Sequence, residues 1–274
     1  MRYDSKFNKI KPYVDYKHPG WFGYQFTNKV GDGSASKIYK CKHIQKDTEY
    51  IAKRIHKREE WKTELAVLRS LQNSSDRILE MIDYFISDRY VYLITRYYGS
   101  HDLFDHIDSN VPLPENYALE LLGEMANCIR ECHNLGIAHL DIKCENFMVI
   151  SMNPPKLVLI DFGHAEYVGK NELVEGYTKY GTCFYLFPEG YDNFYSMKSD
   201  IWSLGICLYL FLTGDYPFDG DDDEYEENVI NYNIVVDNTL SPIVMNILSR
   251  CLASNPKDRP DIEFLCTHKE SASG

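Results

Sequence analysis

The stretch HLDIKCENFMVI, His139 to Ile150, sets an acid, an amine and an amide at short fixed intervals: Asp141, Lys143 and Asn146. A carboxylate in such a group can accept the proton of a hydroxyl. A lysine ammonium can neutralise a phosphoryl group in transit, and an amide oxygen suits a hard cation such as Mg²⁺. Further on, KLVLIDFGHAE ends an apolar strand on Asp161, followed by Phe162 and Gly163. A carboxylate at the mouth of a buried strand can ligate Mg²⁺ or cap a helix, and these residues alone leave both readings open. Upstream, YIAKRI places Lys53 in a mostly apolar strand, where a lysine either snorkels or pairs with a charge. The next helical stretch offers Glu64 as partner, with Glu60 as runner-up. Finally, VGDGSASKI (Val30 to Ile38) brings Gly31 and Gly33 to a turn whose amides can face phosphate oxygens, although G-x-G between strands is commonly a plain hairpin.

The elements that must position these groups follow from periodicity. YQFTNKV, KIYKCKH and EYIAKRI read as short antiparallel strands, then REEWKTELAVLRSLQ as a helix with Trp61, Leu65, Leu68 and Leu71 on one side. ILEMIDYFI and YVYLITRYY read as two further strands. After Gly99 the texture becomes helical. PENYALELLGEMANCIRECHNLG starts at Pro114 and stops at Gly136; SDIWSLGICLYLFLTG is apolar nearly all round and so is read as a buried central helix; SPIVMNILSRCLA follows. This predicts an α+β chain with a small antiparallel-sheet lobe (21–96) carrying one main helix, a hinge at 96–100 and a larger, mostly helical lobe (101–268). An N-terminal extension (1–20) and a short C-terminal tail (269–274) flank them. The acidic tract DGDDDEYEENV, Asp219 to Val229, reads as a solvated loop or as a docking edge for basic peptide.

Composition narrows the class. Apolar residues make up 44% and charged residues 26% of the 274, enough for a packed core. A net charge of -12 argues against nucleic acid or an anionic membrane as partner. Eight cysteines without a C-x-x-C pair point to reduced thiols, and Cys128 with Cys132 lacks the further ligands a metal site needs. No secretory leader and no membrane span is legible, so a cytoplasmic monomer is expected, with the nucleus as an alternative location.

Taken in order, a Gly-rich turn, a Lys on the third strand, a Glu on the next helix, D-x-x-x-x-N and D-F-G form a sequence that resembles the protein kinase family. GTCFYLFPE (Gly181 to Glu189), SDIWSLG (Ser199 to Gly205) and NPKDRP (Asn255 to Pro260) resemble that family's later motifs, and the likeness covers about residues 22–268. The form DIKCEN resembles the serine/threonine type, loosely the calcium/calmodulin-dependent kinases. The resemblance implies the bilobal kinase fold, ATP and Mg²⁺ as cofactors, and a protein substrate. It implies that Lys53, paired with Glu64, grips the α and β phosphates, that Asp141 is the base and that Lys143 meets the γ-phosphate. Asn146 and Asp161 would hold Mg²⁺, and Thr182 would bridge Asp141 and Lys143. Adenine would lie between the lobes, with Val30, Gly31, Gly33, Ser34, Ile38, Ile51 and Met148 around the nucleotide, although plain core packing accounts equally for Ile38, Ile51 and Met148. Thr95 matches the gatekeeper, Arg96 and Tyr98 the hinge, and Asp102 the ribose contact.

Several positions depart from the pattern. Leu140 stands where the family has an Arg that receives a phosphate on the activation segment, so little dependence on phosphorylation of residues 161–189 is expected; Tyr177, Thr178 and Tyr180 remain modifiable. Ile51 replaces a usual Ala and should narrow the adenine roof. Ser36 replaces the third glycine, and Phe187 replaces the Ala of Ala-Pro-Glu, with Glu189 still available to Arg259. The short interval from Lys53 to Glu64 leaves the helix little room to swing out. Asp102, Glu145 and Glu226 or Glu227 lie where relatives meet arginines before the target residue, so a basic substrate is expected. Cys183 is either a redox-sensitive thiol or a small half-buried residue. The rivals are a pseudokinase scaffold that binds nucleotide with little catalysis, and a small-molecule phosphotransferase. The survival of Lys53, Asp141, Asn146 and Asp161 weighs against the first, and the motifs after residue 180 against the second.

Overall fold

The structure, a computed structural model, describes residues 23–32, 36–72, 74–170, 172–176, 183–234 and 239–266. Gly33, Ser34, Tyr177, Thr178, Tyr180 and Thr182, and the side chain of Cys183, lie outside the described residues. The chain forms two compact units, the first made of residues 1–69 and 80–97 and the second of 70–79 and 98–274.

In the first unit, β1 (Tyr24–Asp32), β2 (Ser36–His43), β3 (Glu49–His56), β4 (Met81–Ile86) and β5 (Tyr90–Arg96) form one antiparallel sheet in the order β1-β2-β3-β5-β4. Alternation sorts its side chains by face. Tyr24, Cys41, Ala52, Phe85, Tyr92 and Ile94 make a buried cluster on one face, with Phe85 and Tyr92 stacked at 4.9 Å. Helix α1 (Lys62–Ser70) buries Glu64, Leu65, Val67 and Leu68. Trp61 precedes the helix, so the apolar stripe predicted from sequence is shorter than its pattern.

The strand expected from Ile78 begins only at Met81. Ile78 instead makes an isolated bridge to Leu159, within the second unit: Leu79 N–H donates to the Leu159 carbonyl at 3.0 Å and Leu159 N–H donates to the Arg77 carbonyl at 2.9 Å. Arg77 is held in turn by Glu124, at 3.1 Å.

The second unit is mainly helical: α2 (Leu103–Ile107), α3 (Glu115–His133), α4 (Pro188–Tyr191), α5 (Met197–Thr213), α6 (Asp222–Ile230), α7 (Pro242–Cys251) and α8 (Ile262–Cys266). Three two-stranded ribbons accompany them: β6 (Ile137–Ala138) with β9 (Glu166–Tyr167), β7 (Phe147–Met152) with β8 (Pro155–Leu159), and β10 (Val174–Glu175) with β11 (Phe194–Tyr195). As predicted, α5 is buried on all sides, from Ser199 to Leu212. Ser196 opens it with a capping box, and Gly214 closes it at φ +80°, a conformation costly for any residue with a Cβ. Gly205 lets α7 approach: a Cβ there would meet Leu252 Cδ2 at 2.8 Å.

From Asp222 onward the acidic tract is a helix, which corrects the solvated-loop reading for all but its first three residues. Asp221 caps α6 through Glu224 N, and Tyr225 and Val229, one turn apart, are buried. Carboxylates in the first turn suit the helix dipole, so high charge at this position is compatible with order.

The strongest buried ion pair joins Glu189 and Arg259. The guanidinium donates to both carboxylate oxygens, at 2.8 and 2.6 Å, and to the carbonyls of Ala253, Lys198 and Ser254. All five guanidinium N–H groups are thereby used. Substituting Arg259→Met strands a buried carboxylate and should destabilise the second unit by about 3–5 kcal/mol, whereas Arg259→Met with Glu189→Leu should recover most of that loss. Urea unfolding of the two variants checks this; equal losses would show that the pair is not the cause.

Candidate active site

The first unit contributes one functional face. Register places Gly31 opposite Ile38, Ile38 opposite Lys53, Lys53 opposite Leu93, and Ile51 opposite Thr95. Directly opposed residues share a face, so Ile38, Ile51, Lys53 and Thr95 lie together, opposite the aromatic cluster. Lys53 Nζ meets Glu64 Oε1 at 2.7 Å, with Glu64 4% exposed and Lys53 16%. Burial makes this pair geometrically demanding, and the partner is Glu64 rather than the exposed Glu60. Their separation is 11 residues, with only 57–61 between β3 and α1. At Gly31 a Cβ would make only ordinary contact with Ile38, at 3.7 Å, so the protein itself does not require glycine there. Val30 is exposed, Thr95 is buried, and Arg96 is held by Glu80 at 2.5 Å.

The second unit carries the acidic groups. Asp141 Oδ2 receives Asn146 Nδ2 at 2.9 Å and lies 3.1 Å from Lys143 Nζ. Asn146 Nδ2 also donates to the Asp141 carbonyl, at 2.7 Å. Both amide protons are therefore spent on Asp141, which leaves the Asn146 oxygen as the donor for a cation. Asp161 sits at φ +58°, a left-handed conformation uncommon for aspartate, and Phe162 beside it is fully buried. Phe162 packs edge-on against His139 at 5.0 Å. His139 Nε2 meets the Ile160 carbonyl at 3.1 Å and its Nδ1 accepts from Asp141 N at 3.4 Å, which fixes the Nε2-protonated tautomer.

Underneath lies Asp200, wholly buried on α5. Its Oδ2 accepts from His139 N at 2.9 Å and pairs with His133 Nε2 at 2.8 Å, while Oδ1 accepts from Leu140 N at 2.8 Å. Leu140 adopts φ +65° and is 5% exposed, so its side chain is core rather than surface. Sequence reading placed Asp200 in a motif but gave it no task; only the fold shows that it anchors the loop bearing Asp141.

Asp102 and Met148 are joined by a β-bridge, which brings these two expected nucleotide contacts side by side. Asp102 also caps α2, accepting from Asp105 N at 2.9 Å, so one of its oxygens has a structural task. Burial raises its pKa above the usual carboxylate range. Glu145 Oε2 is buried and has no hydrogen-bond partner among the described residues. Burial, then Asp102 and Asp141, push the Glu145 carboxyl up, while Lys143 pulls it down. Glu226 and Glu227 lie on α6. Burial likewise pushes the Cys128 and Cys132 thiols up and Cys251 to about 12, and a hydrogen bond with Cys207, then burial, pushes Cys144 up, which makes them inert.

The donor chemistry fits Mg²⁺ and a nucleotide. An amide oxygen and a carboxylate are hard ligands of the kind Mg²⁺ shares with phosphates and water. Among the described residues no cluster of three His, Cys, Asp or Glu is arranged for a metal.

A five-stranded antiparallel sheet with a buried Lys–Glu pair, and a helical unit with an Asp–Lys–Asn loop, define the fold class of the protein phosphotransferases. The comparisons agree. The family described as "Protein kinase domain" matches residues 24–269. Testis-specific serine/threonine-protein kinase 3 of Mus musculus is 33% identical over 211 residues, 73% of this chain and 77% of that protein. The Homo sapiens protein of the same name is 30% identical over 266 residues, 92% of this chain and 97% of the relative. Serine/threonine-protein kinase ULK3 of Xenopus laevis is 30% identical over 252 residues, 87% of this chain and 53% of the relative. The chain belongs to the protein kinase family, in its serine/threonine branch.

Substituting Asp200→Ala removes the acceptor of two buried backbone N–H groups and should cost about 3–5 kcal/mol, with transfer activity lost in parallel. Thermal unfolding alongside a phosphotransfer assay checks this; full activity in a stable variant would remove Asp200 from the positioning role.

Proposed function

We propose that the enzyme transfers the γ-phosphate of ATP to Ser or Thr hydroxyls of protein substrates and needs no phosphate on residues 161–189 to do so. The observation that carries the transfer reading is the Asp141 carboxylate, whose Oδ2 is held by Lys143 and Asn146. That leaves Oδ1 to accept the proton of a substrate hydroxyl. Bound Mg-ATP supplies the electrophilic phosphoryl group. Lys143 offsets negative charge near the attacked phosphorus, Asn146 and Asp161 hold Mg²⁺, and Lys53, braced by Glu64, binds phosphate oxygens. Ile38, Ile51 and Thr95 offer an apolar surface for the base, with Val30, Gly31, Arg96, Tyr98, Asp102 and Met148 completing the nucleotide contacts. Catalysis here is positioning and charge stabilisation.

Independence from loop phosphorylation rests on Leu140. Its side chain is buried and apolar, and cannot pair with a phosphate. Preference for basic substrates rests on Glu145, whose buried oxygen lacks a partner that an arginine would supply. The cytoplasm, with its reduced thiols, suits the free cysteines, and no helix among the described residues is long and apolar enough to cross a membrane. We take the enzyme to act as a monomer.

Phosphatase-treated protein, given Mg-ATP and a degenerate Ser/Thr peptide library, should transfer phosphate well above an Asp141→Asn blank. Nucleotide binding without transfer would instead make the chain a pseudokinase. Arginine-bearing peptides should lose their advantage with Glu145→Gln and Asp102→Asn, the latter chosen because Asn retains the helix cap. Because the raised Glu145 carboxyl must be ionised to meet arginine, that advantage should fade as pH falls, beginning above the ordinary glutamate range near pH 4.3. In Glu145→Gln the preference should not vary with pH; a fade that persists there assigns the titration elsewhere.

A further inference from the structure

Outside the catalytic residues, the first unit has a concavity of about 470 Å³ lined by His56, Lys57, Arg58, Asp88, Arg89 and Tyr90. His56 ends β3, the β3–α1 loop supplies the cations Lys57 and Arg58, and the β4–β5 loop supplies Asp88 and Arg89. The backbone fixes the two loops to each other: Lys57 N donates to Arg89 O at 2.9 Å. Ser87 Oγ accepts from Tyr90 N at 2.8 Å and from Arg89 N at 3.3 Å, which sets the turn. Tyr90 forms an aromatic wall, with His56 edge-on at 5.3 Å and Arg54 over its ring at 4.6 Å.

Among the described residues none of Lys57, Arg58 and Arg89 forms an ion pair within the chain, in a protein whose net charge is -12. Asp88 is the one carboxylate in the lining, so Lys57, Arg58 and Arg89 leave the concavity with a net positive charge that favours an incoming anion. We propose that this concavity docks a phosphorylated side chain of a protein partner. A phosphomonoester brings close to two negative charges and three acceptor oxygens, which suits two guanidinium forks and an ammonium better than a single carboxylate does. A polyanion such as nucleic acid meets the overall negative field of the chain. A membrane headgroup would need apolar side chains beside it to insert. Among the described residues of this unit the large exposed apolar ones, Val30 and Ile44, lie in β1 and beyond the end of β2 instead. The docking site is independent of the transfer reaction proposed above.

The test uses the full chain without ATP, and fluorescent peptide libraries with a fixed central phosphoserine, phosphothreonine or phosphotyrosine. At least one phosphorylated library should bind about tenfold or more tightly than its unphosphorylated form. Arg58→Ala with Arg89→Ala should abolish that difference while leaving the thermal midpoint and transfer to a short peptide unchanged. Equal binding of the phosphorylated and plain libraries overturns the proposal, as does a preference that survives the double substitution. Inorganic phosphate competing as well as the peptides would reduce the concavity to a general anion site. Capture by phosphoinositide vesicles in preference to peptide would reassign it to a membrane surface.

Discussion

A single buried carboxylate sets the geometry of the second unit. Asp200 takes two successive backbone N–H groups, those of His139 and Leu140, on its two oxygens. Consecutive amides in a strand point to opposite sides, so both can reach one carboxylate only if the chain turns sharply between them. Leu140 makes that turn at φ +65°, a strain held in place by the buried acceptor. The turn delivers Asp141 to Lys143 and Asn146. It also presents the His139 ring to Phe162 and to the carbonyl of Ile160, next to Asp161. Two carboxylates far apart in sequence are thereby referred to one anchor on the most buried helix.

The buried charges of this protein differ in how fully they are answered. Arg259 spends every N–H, and Glu189 adds a bond from Ser199 to its pair with that arginine. Such saturation makes a rigid joint between α4 and the end of the chain's helical core. Glu145 is the counterexample, with one buried oxygen left without a donor. A buried carboxylate oxygen without a donor carries an uncompensated desolvation cost, which a hydrogen-bond donor would relieve.

Much of this was legible in the sequence, for identifiable reasons. The strands of the first unit declared themselves by short runs of apolar and β-branched residues between turns, and the helix around Trp202 by a long run apolar on all sides, because burial dictates both patterns. The lysine in an apolar strand left snorkelling or pairing open, and it was the family resemblance that pointed to the Lys53–Glu64 pair found in the structure. What sequence could not show was long-range hydrogen bonding. Ile78 and Leu79 look like the start of a strand, but Ile78 makes only an isolated bridge, to Leu159, and neither joins the sheet of the first unit. The acidic run at Asp219 hid a helix because its signal, an Asp cap with Tyr225 and Val229 inward, is faint beside so many charges. Asp102 showed a carboxylate but not its commitment to capping α2.

The division of the first sheet into an aromatic face and a functional face has a consequence for the gene. In β3 the faces alternate residue by residue, Ile51 and Lys53 on one side and Ala52 on the other. Exchange of one codon for another alters a single contact. Loss or gain of a whole codon within the strand inverts every side chain beyond it, sending an ammonium into the ring cluster and an aliphatic group towards Glu64. Lineages of this chain should therefore vary in length at the turns on either side of β3 and hold its length fixed, whatever drift its individual letters undergo.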